Sequence, residues 1–255
     1  MVAEDRNESS SSESSSSESS SSESSSSEYK YQRLSDESSI RILELFPGSR
    51  GSPLECKIIE RPLKSCGRYE ALSYAWGDDK KVEKVWCDTK YIGITRNCSI
   101  ALHRLRKSKR SRHLWVDSIC IDQKVFEERN HQVSLMNKVY SKAQCVIVWL
   151  GKSKKKKSVQ NKTALDFIRQ LSKQNEVSQA TYQSKLSALN VLFRNSWFSR
   201  TWPVQEVAFS RKCKIISGKY SISARQLMHF LKIAERHTVL SPTIDRVHVH
   251  RKMWA

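Results

Sequence analysis

The sequence predicts an α/β fold: a largely parallel sheet flanked by helices, with extra β-hairpins at its N-terminal side. Three observations carry that reading. ALSYAW (71–76), LWVDSICI (114–121) and CVIVWLG (145–151) are short apolar runs that read as buried strands. Helical patterns alternate with them, and such alternation argues for parallel pairing. Each run also finishes in aromatic, polar or acidic residues, the layout of a site beyond the carboxyl ends of the strands.

Taken in order, residues 1–28 stand apart from any core. Glu8 to Glu28 is four copies of ESSSS and a closing Glu, without one apolar residue. Such a segment has nothing to bury against its ordering entropy and is expected to be disordered. It carries seven acids and one base, whereas the remainder holds 44 bases and 19 acids, a charge of +25. A body this basic attracts anions, and serines preceding glutamate are candidates for phosphorylation.

Residues 29–68 contain IRILELFPG (40–48) and PLECKIIE (53–60), which read as a hairpin or two edge strands packed on the main domain. The core is expected over 69–218, opening with ALSYAW as the first central strand. VWCD (85–88) and YIGIT (91–95) form a second small hairpin. Ile100, Leu102 and Leu105 predict a helix capped by Asn97. LWVDSICI is read as one buried strand with Asp117 inside it. A helix over 127–142 follows, with Val133, Met136, Val139 and Tyr140 on one face. After CVIVWLG, the lysine-rich run 152–158 reads as a solvated loop, with nuclear targeting as the sharper alternative. Helices are expected near 163–173 and 181–194, a last strand at 214–217 and a last helix over 223–236. The 219–255 segment is otherwise a ragged end.

Seven cysteines are scattered without zinc-knuckle or CxxC spacing. They read as buried, reduced thiols of an intracellular protein. No signal-peptide core and no run near the roughly 20 apolar residues of a membrane span occurs. The expectation is a soluble, cytoplasmic protein, with nuclear entry through 152–157 as the variant reading.

Phosphate-binding GxxxxGK[ST], GxGxxG and metal-binding HExxH patterns are all missing, which disfavours P-loop, Rossmann and zinc-protease chemistry. The chemically loaded residues are few. In WFSRTWPVQE (197–206), Pro203 suits a first helical position and sets Glu206 one turn in. Tyr74, Trp76 and Asp78 follow the first central strand. Flat rings can stack on a base or a nicotinamide, and acids accept from ribose hydroxyls. Each also has a structural role open to it: Trp76 as core filler, Asp78 as a turn former, Glu206 as a complement to a helix dipole. Asp117 requires a partner, because an unpaired charge in a buried strand is costly; Arg129 and Arg200 are the candidates.

Several phrases in fixed order resemble the fungal heterokaryon-incompatibility (HET) domain family: IRILELFPG, YEALSYAWGD, LWVDSICIDQ, EERNHQVSLMNKVYSKA, CVIVWLG and WFSRTWPVQEVAF. Pro203 and RNCS (96–99) depart from the family pattern. The resemblance implies a role in non-self recognition that triggers cell death. It also implies a flavodoxin-like fold similar to Toll/interleukin-receptor (TIR) domains, some of which cleave NAD with a Glu shortly after a Trp. Carried over, Glu206 is the catalytic candidate, and Tyr74, Trp76, Asp78, Asp117 and Trp202 would bind substrate. NAD would be substrate, with no cofactor and no metal. Expected partners are sensor proteins, other HET- or TIR-like domains, or further copies of the chain. A non-enzymatic assembly module and a truncated, inactive paralogue remain the alternatives; nucleic-acid binding is disfavoured because the bases sit in loops outside any recognisable module.

Overall fold

A computed structural model describes residues 27–78, 80–152, 155–174, 176–200, 207 and 210–234. Among these, nine strands form one sheet in the order β5-β4-β2-β1-β6-β3-β7-β8-β9. They are β1 (Ser39–Leu45), β2 (Glu55–Pro62), β3 (Glu70–Tyr74), β4 (Glu83–Cys87), β5 (Lys90–Ile94), β6 (Arg112–Val116), β7 (Cys145–Trp149), β8 (Cys213–Ser217) and β9 (Tyr220–Ser223). The helices are α1 (Arg96–Leu105), α2 (Asp117–Cys120), α3 (Phe126–Lys142), α4 (Lys155–Leu171), α5 (Gln179–Phe193) and α6 (Ala224–Ala234).

The centre is parallel. β3 pairs in parallel with β6 and β7, and β7 with β8. Numbered along the chain, these four strands lie 2-1-3-4 across the sheet, the order with which flavodoxin-like sheets begin. The α/β class read from the sequence therefore holds. The N-terminal hairpin β1–β2 is antiparallel, and β1 pairs with β6. Neither of its strands is an edge, since β4 and β5 lie outside them.

Two hydrophobic cores form against the sheet. On β7, Val146, Ile147 and Trp149 join the larger cluster, with Leu102 and Leu105 of α1 and Val139 and Tyr140 of α3. Val148 joins the second, with Leu165 and Ile168 of α4, Leu189 of α5 and Phe230 of α6. No described helix is long and apolar enough to cross a membrane.

Four local expectations change. The run 114–121 is not one strand: β6 stops at Val116 and Asp117 opens the single turn α2. Asp117 Oδ1 accepts from the Ser118 N–H (2.7 Å), and the Ile121 N–H reaches the Asp117 carbonyl (3.3 Å). Ile119 and Cys120 stay buried, so apolar pattern alone does not separate strand from buried turn. The cap of α1 is Thr95, whose Oγ1 accepts from the Cys98 N–H at 3.3 Å, not Asn97. The lysine run is partly helical, because α4 begins at Lys155. Lysine propagates helix well, and the apolar face further along α4 supplies the packing that lysines in a first turn, set against the dipole, do not. Finally, β8 is not the last strand: Gly218, at φ 56°, turns the chain into β9.

Arg41, in the middle of β1, is buried with its charge paired. Its guanidinium reaches both oxygens of Glu128 on α3 (2.5 and 3.0 Å). It also donates to the carbonyls of Gln32 (2.6 Å) and Cys120 (3.3 Å). With the two side chains only 4% and 12% exposed, removing one partner strands the other. Arg41→Ala is expected to cost about 3–5 kcal/mol in urea unfolding, while Arg41→Met with Glu128→Leu recovers most of that loss. An equal cost for the single and double variants would contradict the assignment.

Candidate functional site at the carboxyl edge

In a 2-1-3-4 sheet the connections diverge between the first and third strands, here β3 and β7, and a crevice opens beyond their carboxyl ends. Asn97, released from capping by Thr95, bridges that point. Its side-chain amide donates to the Ala75 carbonyl (2.5 Å), and its oxygen accepts from the Trp149 indole N–H (3.2 Å). Asn195 donates to the Leu150 carbonyl (2.7 Å), and the Trp197 indole donates to Ser73 Oγ (2.7 Å). Arg200 donates to the Tyr74 carbonyl. The strand ends are thus held by side chains from α1 and from the segment after α5.

On that rim, Trp76 and Asp117 meet. The Trp76 indole N–H donates to Asp117 Oδ2 at 3.0 Å, across the ends of β3 and β6. Gln123 donates to the Asp117 backbone carbonyl (2.9 Å). Beneath them the Tyr74 hydroxyl lies 2.7 Å from Ser118 Oγ, with Cys98 Sγ 3.9 Å from the same oxygen. Burial pushes the Asp117 carboxyl up to about 6, against the Ser118 N–H, the Trp76 N–H and the charge of Arg200, which favour the ionised form. Burial likewise raises the Tyr74 hydroxyl well above its ordinary value.

Of the six residues singled out from sequence, Tyr74, Trp76 and Asp117 come together. Tyr74 is buried and engaged with Ser118, while Trp76 and Asp117 remain partly exposed. Asp78 stands off: it is exposed and accepts from the Lys80 N–H (3.3 Å), as a turn former does. Trp202 and Glu206 lie outside the described residues; Val207, next in the chain, is buried in the second core. Asp117 takes its direct hydrogen bonds from Trp76 and Ser118 and feels Arg200 only through charge. Arg129 instead lies over the Phe126 ring, 5.3 Å from its centroid.

Ser118 and Asn97 were not legible as site residues, whereas Arg200, one of the two partners expected for Asp117, does act on it through charge. The one available signal was Thr95, a sufficient cap that left Asn97 free for another role. A cavity of about 320 Å³ approaches Ser118 and Gln123 from the N-terminal side, with Tyr29, Tyr31, Lys81 and Lys124 in its lining. Among the described residues no group of three His, Cys, Asp or Glu is placed to hold a metal.

The raised Asp117 carboxyl has a defined pH signature. Its folded value of about 6 exceeds the ordinary 3.8. Between those values the folded chain keeps a proton that the unfolded chain has lost, so stability falls as pH rises. Asp117→Asn removes that slope, and its stability relative to the parent should grow by up to about 3 kcal/mol from pH 4 to pH 7. Urea unfolding at both pH values checks this; a pH-independent difference would contradict it.

The comparisons with known proteins bear on the same stretch. The family model described as Heterokaryon incompatibility protein (HET) matches residues 69–206, which include Tyr74, Trp76 and Asp117. Over 138 residues the chain is 36% identical to "Heterokaryon incompatibility protein 6, OR allele" of Neurospora crassa, an alignment covering 48% of this chain and 20% of that relative. No solved structure matches. With more than half of its length under the family model, the chain belongs to the heterokaryon-incompatibility (HET) family.

Proposed function

We propose that the chain is a HET-domain effector of fungal non-self recognition, acting in the cytoplasm to trigger programmed cell death, and that it does so by cleaving NAD at the nicotinamide–ribose bond. The observation that carries this reading is the Trp76–Asp117 pair, 3.0 Å apart on the carboxyl rim of a parallel sheet. The 2-1-3-4 strand order supports kinship with the TIR fold.

The chemistry asks little of the protein beyond placement. The C1′–N1 bond breaks with both electrons leaving on the ring nitrogen, so nicotinamide departs neutral and needs no general acid. An oxocarbenium-like cation remains, and a fixed carboxylate stabilises it. Glu206 is the residue proposed for that role. Water adds at C1′ and releases a proton, giving ADP-ribose. Asp117, ionised at neutral pH, accepts from ribose hydroxyls. With its N–H committed to Asp117, the Trp76 indole still offers a ring face for stacking. Lys81, in the adjoining cavity, supplies positive charge for a pyrophosphate, while Lys124 there is paired with Glu28 (3.0 Å).

A second reading, killing by assembly with sensor proteins or with further copies, is favoured by one feature. Val125 and Phe126, at the start of α3, are 41% and 64% exposed. The readings separate on one experiment. Purified full-length protein incubated with NAD should release nicotinamide, and Glu206→Ala should slow release by at least about a hundredfold. Equal consumption by parent and variant would overturn the role of Glu206. Cell killing that survives Glu206→Gln but is lost in Phe126→Ser would instead select assembly.

A further inference from the structure

Cys56 on β2 and Cys87 on β4 are register partners in a parallel ladder. Partners in such a ladder point to the same face, and the Cα atoms of neighbouring strands lie about 5 Å apart, within the roughly 4.4–6.8 Å that a disulfide spans. Both side chains belong to the larger core, and both are free thiols. Tyr29, from the segment leading into β1, packs against the same core, and its N–H is tied to the Tyr91 carbonyl of β5 (2.8 Å).

The place of the pair in the sheet is distinctive. The β2–β4 ladder has two residue pairs, whereas β4 and β5 are joined by five. The outer hairpin therefore hangs from the rest of the sheet by its shortest seam, and the two thiols sit on it. The chain between them contains β3, which lies beyond β1 and β6 from the seam. Cys87 is the sulfur nearer solvent, 4% exposed against 0% for Cys56, at the end of β4 beside the turn through Asp88. A hydrogen bond from the Cys56 thiol holds the Cys87 thiol below its ordinary range; Ile58 and Lys57 act the same way, while burial and Asp88 oppose them.

We propose that Cys56 and Cys87 form a redox dithiol, which a peroxide converts to a disulfide that clamps the β4–β5 hairpin to the sheet. The Cys87 thiolate attacks hydrogen peroxide; an S–O bond forms, the O–O bond breaks, and the departing hydroxide takes a proton to become water. The Cys56 sulfur then attacks the resulting sulfenic acid. The S–S bond forms and the S–O bond breaks, with the Cys56 proton leaving on a second water. Two thiols are oxidised and one peroxide is reduced. The closed loop restricts the unfolded chain, so the oxidised form resists denaturant better.

The test treats the folded full-length protein with hydrogen peroxide, alkylates the remaining thiols and maps unreduced peptides by mass spectrometry. The expected product is one linked peptide pair, Cys56 with Cys87, two hydrogens lighter than the separate thiols. The urea midpoint should rise with its appearance and return on reduction with dithiothreitol. In Cys56→Ser the resolving thiol is gone, and Cys87 should proceed to sulfinic acid. The parent peptide map stands alone if that variant fails to fold, and Cys56→Ala offers a second route. Oxidation at the more exposed Cys145 or Cys213 while Cys87 remains alkylatable would overturn the proposal, as would sulfinic acid at Cys87 of the parent without any link to Cys56.

Discussion

The turn that carries Asp117 is four residues long, too short to hold itself in place, and its position depends on a buried guanidinium one strand away. Arg41 leaves β1 and meets Glu128 on α3 with two hydrogen bonds, while its remaining donors reach the carbonyls of Gln32 and Cys120. Glu128 in turn accepts from the Asp122 N–H at 2.8 Å. One ion pair thereby joins the N-terminal segment, the central sheet, the end of α2 and the start of α3. Desolvating such a pair costs about as much as its attraction returns, so its effect is on position more than on net stability. What it positions is the 117–122 loop, and with that loop the carboxylate facing Trp76.

Asp117 shows how the site balances opposing demands. Burial favours its protonated form, and three groups resist: the Ser118 N–H, the Trp76 indole and the more distant Arg200. The donors are neutral and few, so burial wins by enough to bring the carboxyl near physiological pH. Had Arg200 formed a direct ion pair it would have quenched the acid. Arg200 is instead spent on the Tyr74 carbonyl, where it closes the end of β3. Asn97 does the corresponding work between Ala75 and Trp149, so the base of the switch point is polar and bonded on both sides of that amide. The rim is therefore held by side chains engaged with strand-end backbone and with one another, and the Trp76 ring face and the Asp117 carboxylate are its partly exposed groups among the described residues.

The sequence made the strands β3 and β7 and the helix α3 plain, because apolar runs and a 3.6-residue period are local signals. Asp117 was identified as anomalous for a sound reason, a charge among buried residues, but its surroundings were misread as strand. Val116 before it and Ile119 two residues after it are buried, as they would be in a strand or in a turn. The apolar pattern does not distinguish the two; the Asp117 side chain capping the Ser118 N–H closes the turn, and Arg41, far earlier in the chain, adds a bond to the Cys120 carbonyl. Asn97 was misread because it was taken as the cap of α1, a role that Thr95, two residues earlier, fills. The hairpin β8–β9 was missed for want of length: Gly218 and Lys219 make the turn, but four residues carry little alternation. Long-range partners, rather than weak local propensity, account for most of what the sequence did not disclose.

We propose that Asp117, held by Trp76 on the carboxyl rim, is a binding carboxylate for a nicotinamide nucleotide. Carbon-13 NMR of its carboxyl group during a pH titration, with and without NAD, tests this most directly. The carboxyl is expected to titrate near pH 6 in the free protein and to move clearly downward on saturation, because a cationic ring nearby favours the ionised form. Titration at the ordinary aspartate value of about 4, unmoved by NAD, would contradict it.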